Sequence, residues 1–295
     1  MSDWSKRLAS LTRVAALVKI GATAGAVAGE ATTLSELRQA THFHGIAVDR
    51  IDPSRLFLAT HHGFYLVNAD GAAIRLSPIQ DFMGFTPHPS DPLVFYASGH
   101  PAGGGNLGFI ESADGGVTWT QVSPGVGGPV DFHQMDVSAA DPNVIYGVYH
   151  GLQVSRDGGK TWTMNEALPD GVIDLAASPT SADRLYAATK GDGLQASDDA
   201  GASWRRLYAA ANPVSMVQAG PAGTLFMFVL GEGLLSASES DSASWSVLSN
   251  GFGDRYVLHL AIDPANPARL FAITQESEVL ASGDGGKSWQ PFGAN

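Results

Sequence analysis

The sequence predicts an all-β fold, a six-bladed β-propeller of four-stranded antiparallel blades, on three observations. The first is an internal repeat. Ser-x-Asp-x-Gly-x-x-Trp occurs at residues 112–119, 155–162, 197–204 and 282–289. Decayed copies stand at 238–245, where Ser240 replaces the Asp, and at 68–75, where the Trp is lost. The closing positions 75, 119, 162, 204, 245 and 289 are 41 to 44 residues apart, a period that marks a repeat architecture. The second observation is composition: 35 Gly and 16 Pro dilute the helix formers, and short Val/Ile/Leu/Tyr/Phe runs alternate with turn residues, an all-β pattern. The third is that every unit repeats one order of elements.

That order is clearest in the third unit. An alternating strand at 132–137 leads into the turn Asp141-Pro142, and a Tyr-containing strand at 144–149 is followed by the loop His150-Gly151. A short strand at 152–155, the turn Asp157-Gly158-Gly159 and a last strand starting at Trp162 complete the unit. Period-two alternation argues for strands and the Asp-Pro and Asp-Gly-Gly sequences for turns. Four strands, numbered from the axis outward, make one blade. Six units fill residues 41–295 as a single domain, with residues 1–40 set apart. Each unit is complete in chain order, so the ring closes by packing of the last blade or by a strand drawn from residues 31–41.

In the first segment, Lys6, Arg7 and Arg13 precede an Ala/Gly-rich apolar stretch at 14–28 that ends Ala26-Val27-Ala28. This resembles a secretory signal with a small-residue cleavage site and is too short to span a bilayer comfortably. The expectation is a periplasmic or secreted protein without a membrane span in the mature domain. Lys19 inside the apolar run keeps a cytoplasmic arm as the alternative. A net charge of -12 excludes the basic footprint that nucleic acid or an anionic membrane requires. With no cysteine there is no disulfide and no thiolate nucleophile or ligand.

The repeated motif has a structural explanation. The carboxylates of Asp114, Asp157, Asp199 and Asp284 can accept backbone N–H bonds within their own turns, and Gly supplies the positive φ those turns need. Trp119, Trp162, Trp204, Trp245 and Trp289 provide large buried anchors. The motif resembles the Asp-box, or BNR-repeat, of a propeller group that includes sialidases, sortilin-type receptors and photosystem II assembly factors. The segments 42–45, 60–63, 81–85, 98–101 and 131–135 are similar to a bacterial Asp-box family named glycosyl hydrolase. The resemblance covers about residues 42–293 and implies the fold; activity does not follow from it.

Topology locates the residues with chemistry. In a four-stranded meander the start of strand one, the loop between strands two and three, and the end of strand four share one edge, here called the top. Aligning units on Asp-Pro at 52–53, 91–92 and 141–142 makes His44, Met83 and His133 equivalent. Phe43, Phe82 and Phe132 precede them, and His42, Asp81 and Asp131 come one earlier. The loops between strands two and three add His61, His62, His100 and His150. Seven of nine histidines therefore converge on the top of blades one to three, with His88 on the far edge and His259 inside a strand of blade six.

Imidazoles with Met and carboxylate nearby suit zinc or copper, and the thioether of Met83 inclines the reading towards copper. His44 and His133 with one of His62, His100 or His150 are the preferred ligands, with His61, His42 and Met83 as further candidates and Asp81 and Asp131 ligating or orienting. The enzymatic alternative is a glycosidase or metal-assisted hydrolase. Glycosidases need two carboxyl groups about 5 Å or ~6.5–9.5 Å apart, and Asp131, Asp81, Asp174 and Glu232 are the candidates. Arg255, Lys190, Phe43, Phe82 and Phe132 are candidates for substrate contact. Sialidases, as the resemblance implies, also use an arginine triad and a Tyr/Glu nucleophile pair. Arg50, Arg55, Arg184 and Arg269 fall near the bottom turns and Arg156 in an Asp box, which leaves only Arg255 on top and argues against a sialidase. Gly103-Gly104-Gly105 lacks the Lys-Ser/Thr of a phosphate loop and reads as a flexible top loop. A third class is a protein-docking scaffold using the same face without metal.

Overall fold

The computed structural model describes residue 29, residues 31–165 and residues 167–293. The signal-like stretch therefore lies outside the described residues. Strand β1 (Ala31–Thr33) and helix α1 (Leu34–Ala40) precede blade one, which is formed by β2 (Phe43–Val48), β3 (Leu56–Thr60), β4 (Gly63–Val67) and β5 (Ala72–Arg75). Blade two contains β6 (Met83–Pro87), β7 (Phe95–Ser98), β8 (Phe109–Ser112) and β9 (Thr120–Ser123). Blade three contains β10 (Gln134–Val137), β11 (Ile145–Val148), β12 (Leu152–Ser155) and β13 (Thr163–Asn165). Blade four contains β14 (Val172–Ala177), β15 (Leu185–Thr189), β16 (Leu194–Ser197) and β17 (Arg205–Tyr208). Blade five contains β18 (Val214–Gly220), β19 (Thr224–Val229), β20 (Gly233–Ser238) and β21 (Asp241–Ser249). Blade six contains β22 (Val257–Ile262), β23 (Leu270–Thr274), β24 (Val279–Ser282) and β25 (Gln290–Pro291). Every blade is an antiparallel meander in chain order, so the six-bladed propeller expected from the repeat is the observed fold.

The apolar core lies between blades. One buried cluster joins blades one and two through Phe57, Phe64, Phe85 and Phe95, and corresponding clusters join each later pair. The Asp boxes build these junctions. Ser155 Oγ donates to Asp157 Oδ1 at 2.9 Å, Thr161 N and Oγ1 donate to the same carboxylate at 2.9 and 2.7 Å, and Trp162 Nε1 donates to Gly159 O at 3.0 Å. These bonds hold the Asp157 carboxyl down at about 2, the bond from Thr161 N contributing most. The second glycine of each box meets the neighbouring blade: a Cβ on Gly159 would stand 2.0 Å from Phe109, and one on Gly116 2.3 Å from Phe64. In the decayed fifth box Ser240 substitutes with a hydroxyl bond to Ser238 at 2.7 Å, and Trp245 still donates to Ser242 O at 3.0 Å.

The ring closes by packing, and the extra strand is used differently from a shared blade. β1 pairs with β5 on the outer edge of blade one, giving that blade a fifth strand. α1 is started by a capping box between Thr33 and Glu36 and buries Leu34 and Leu37 at the seam. There they share a core with Phe43, Val67, Phe271 and Val279 of blades one and six. Arg38 to Glu276 at 3.2 Å, Arg269 to Pro53 O at 3.0 Å and Phe43 N to Ser277 Oγ at 3.3 Å tie the same seam. Among the described residues no helix is long and apolar enough to cross a membrane.

Candidate metal centre

Backbone bonds fix the two edges. Gly115 N donates to Leu93 O and Gly158 N to Asn143 O, so the Asp box and the turn between strands one and two share the bottom. Phe82 N donates to Thr60 O and Asp81 N to His100 O, so the start of an innermost strand is held against the loop between strands two and three. Each loop is itself braced: Thr60 Oγ1 donates to Gly63 O at 2.9 Å and accepts from His62 N at 3.0 Å.

This bracing brings three side chains together at the junction of blades one and two. His44 Nε2 lies 3.0 Å from His61 Nε2, and His61 Nδ1 lies 3.1 Å from Asp81 Oδ1. One ligand atom from each of His44, His61 and Asp81 falls within 4.8 Å of the other two. The two short contacts use opposite nitrogens of His61, of which one ion takes one, so the set would draw in from within 4.8 Å to the ligand spacing of about 3.3 Å that tetrahedral zinc with bonds of ~2.0–2.1 Å requires. The His61 approach is not aligned as a hydrogen bond, which leaves Asp81 Oδ1 buried without a partner. Burial, and then the neighbouring imidazole of His61, pushes the His44 pKa down to about 3, so this ring is neutral and in its ligating form at physiological pH. The His42 ring stands 6.0 Å from His61, edge-on.

A second group forms at the junction of blades two and three. Asp131 Oδ2 lies 3.1 Å from His100 Nε2 and 2.8 Å from His133 Nε2. Pairing with Asp131 raises the His133 pKa above its ordinary value. The histidines expected to meet are thus divided between two groups: His44 faces His61, and His133 faces Asp131. His150 takes φ +55° and packs its ring 4.2 Å from Tyr149, while His62 is exposed beside His61. Met83 is buried at 8% exposure at the start of β6.

The other named residues occupy different settings. Phe43, Phe82 and Phe132 are buried at 3, 0 and 0% exposure, and the rings of Phe82 and Phe132 pack on Trp119 and Trp162, so they build blade junctions where a substrate-contacting face was expected. Glu232 accepts a 2.6 Å bond from Tyr208 at the outer rim, and Arg255 is paired with Glu278 at 2.6 Å. Lys190 is exposed on the loop of blade four. Asp174 lines an axial channel of about 240 Å³ together with Asp136, Gln218 and His259. Asp174 Oδ2 accepts from Val217 N at 2.9 Å, and Asp136 Oδ2 from Ala177 N at 2.8 Å, each carboxylate capping the free inner edge of the next blade. Burial raises Asp174 to about 8 and Asp136 to about 6, and lowers His259 to about 4. Sequence reasoning passed over Asp136 and His259, which read as ordinary strand positions. Their shared signal is a polar residue on an innermost strand.

Comparison with known proteins agrees with the fold. The family model for the BNR/Asp-box repeat matches residues 153–164. No curated protein matches the chain. Among solved structures, the GH74 xyloglucanase from Xanthomonas campestris is similar with a TM-score of 0.58 at 20% identity, covering 85% of this chain and 45% of the enzyme. The GH74 enzyme from Niastella koreensis gives 0.59 at 16% identity, with 85% and 45% covered. YCF48 bound to a D1 peptide gives 0.54 at 17% identity, with 89% and 84% covered. The chain spans less than half the length of the two GH74 enzymes, and at these identities the likeness is one of fold.

Proposed function

We propose that this chain, an Asp-box six-bladed propeller, is a metal-binding accessory protein that holds a zinc or copper ion at the junction of blades one and two. The observation that carries the reading is the meeting of His44, His61 and Asp81, three ligand atoms within 4.8 Å of one another. Two features support it. The orphaned Asp81 Oδ1 is a buried acceptor that a cation would satisfy, and leaving such a group bare costs about 1–3 kcal/mol or more. The neutral state of His44 removes proton competition at one ligand. Two imidazoles and one carboxylate suit Zn(II) or Cu(II), and an open fourth position would admit water or a small molecule. In this reading the protein works in the periplasm or outside the cell, which the signal-like segment at residues 1–40 supports. The test is metal analysis after loading with either ion and desalting. Wild type should retain stoichiometric metal and His44→Ala plus His61→Ala should lose one equivalent of it; a wild type that retains neither ion contradicts the reading.

A peptide-docking role is the second reading, favoured by the similarity to YCF48 bound to a D1 peptide over most of both chains. It predicts peptide or protein capture on the top face that is indifferent to chelator. A hydrolase reading draws on the GH74 neighbours and the carboxylates Asp81 and Asp131 at the mouth. It predicts turnover of glycosides that Asp131→Asn abolishes.

A further inference from the structure

We propose that the top face binds a second divalent cation, centred on Asp131 between blades two and three, so that this face carries two ions. The proposal rests on the metal reading of the first centre and extends it one blade along the ring. Both centres share a construction. A histidine of the loop between strands two and three crosses the blade boundary to the aspartate that opens the next blade: His61 to Asp81 and His100 to Asp131, each at 3.1 Å. The second imidazole is placed differently: His44 opens blade one and faces His61, whereas at the second centre the equivalent position is Met83 and the imidazole comes from His133, which opens blade three and faces Asp131 itself.

Two observations independent of this likeness point to a cation. The Asp131 side chain is 6% exposed, and its Oδ1 has no hydrogen-bond partner. A buried carboxylate oxygen is rarely left bare, because nothing repays its lost hydration. The second observation concerns His100, whose Nδ1 lies 2.8 Å from Gly105 O while its Nε2 faces Asp131. Both partners are acceptors, which one N–H of a neutral imidazole cannot serve together; an imidazolium or a cation at Nε2 does so. A cation between Nε2 and the carboxylate resolves the conflict: Nδ1–H donates to Gly105 O, the Nε2 lone pair ligates, and the carbonyl fixes the tautomer as it does around many metal-bound histidines.

The ligand atoms of His100, His133 and Asp131 do not all fall within 4.8 Å of one another, as those of the first centre do, so the imidazoles would have to close in on an ion. Their side chains are 43 and 56% exposed and have room to swing onto an ion. With two nitrogens and one oxygen on offer, the ion class is again Zn(II) or Cu(II).

The experiment is native mass spectrometry of the full chain loaded with Zn²⁺ and desalted. Wild type should carry two ions, Asp131→Asn one, and His44→Ala plus His61→Ala one. Because Asp131 is buried, the exposed pair His100→Ala plus His133→Ala serves as the second variant, with circular dichroism to confirm folding; it too should carry one ion. A single ion in wild type that persists in the Asp131→Asn and His100/His133 variants overturns the second centre and leaves the first standing. Two ions that persist in the His100/His133 variant also overturn it, and no ion in wild type overturns both centres.

Discussion

Gly159 shows how tightly the repeat is written at the scale of one residue. It sits at φ +81°, and a Cβ there would lie 2.0 Å from a Phe109 ring that belongs to the preceding blade. Both the backbone conformation and the space demand glycine. Gly159→Ala is therefore expected to destabilise by about 3 kcal/mol or more, read as a Tm lowered by roughly 6 °C or more in thermal unfolding. A variant within a degree of wild type would mean that the blade junction is looser than described. The same scale explains what the sequence could not say about the site. That seven histidines share the top edge follows from strand order, but which of them meet depends on details no pattern records. His61 reaches His44 because Thr60 Oγ1 ties down its loop, and Asp81 arrives from the next blade. The phenylalanines beside these residues looked available for a substrate, yet each points into a blade junction, where the aromatic core outcompetes exposure.

At the scale of the element, the innermost strands carry a pH signature. Asp174 on β14 is raised to about 8 by burial, so its protonated form is favoured in the folded chain. A carboxyl whose folded pKa lies above its ordinary value of 3.8 contributes stability that is complete below about 4 and is lost as pH rises towards about 8. Asp174→Asn keeps an acceptor for Val217 N and removes this titration. Its Tm should exceed that of wild type at pH 8 by at least about 2 °C, ~1 kcal/mol in a domain of this size, and the difference should shrink at pH 4. A difference that is constant across pH would exclude the titration. Most strands themselves were legible, because period-two alternation and the Asp-Pro and Asp-Gly turns fall at regular offsets. The exception is β1, three residues whose pairing with Ala72 to Ile74 is long-range and leaves no local signal.

At the scale of the whole molecule, the fold was readable because the repeat counts blades, whereas closure was not, since it depends on a contact between the two ends of the described chain. Leu37, 4% exposed, locks α1 onto the seam between blades one and six. Leu37→Ala should cost about 2–3 kcal/mol and raise amide exchange in β2 and β23 before the blades opposite; uniform exchange would show that the seam is not the weak joint. Closure matters for function because the seam fixes blade one, which carries His44 and His61 at its junction with blade two. The central claim is that the closed ring gathers two imidazoles and a carboxylate around one ion. X-ray absorption of the chain loaded with one equivalent of Zn²⁺, in a His100→Ala plus His133→Ala background that removes the second centre, tests it most directly. The account predicts a spectrum with two imidazole nitrogens and further light-atom ligands at about 2.0–2.1 Å, with the imidazole scattering lost in His44→Ala plus His61→Ala. A zinc shell free of imidazole, or one unchanged in that variant, would contradict it.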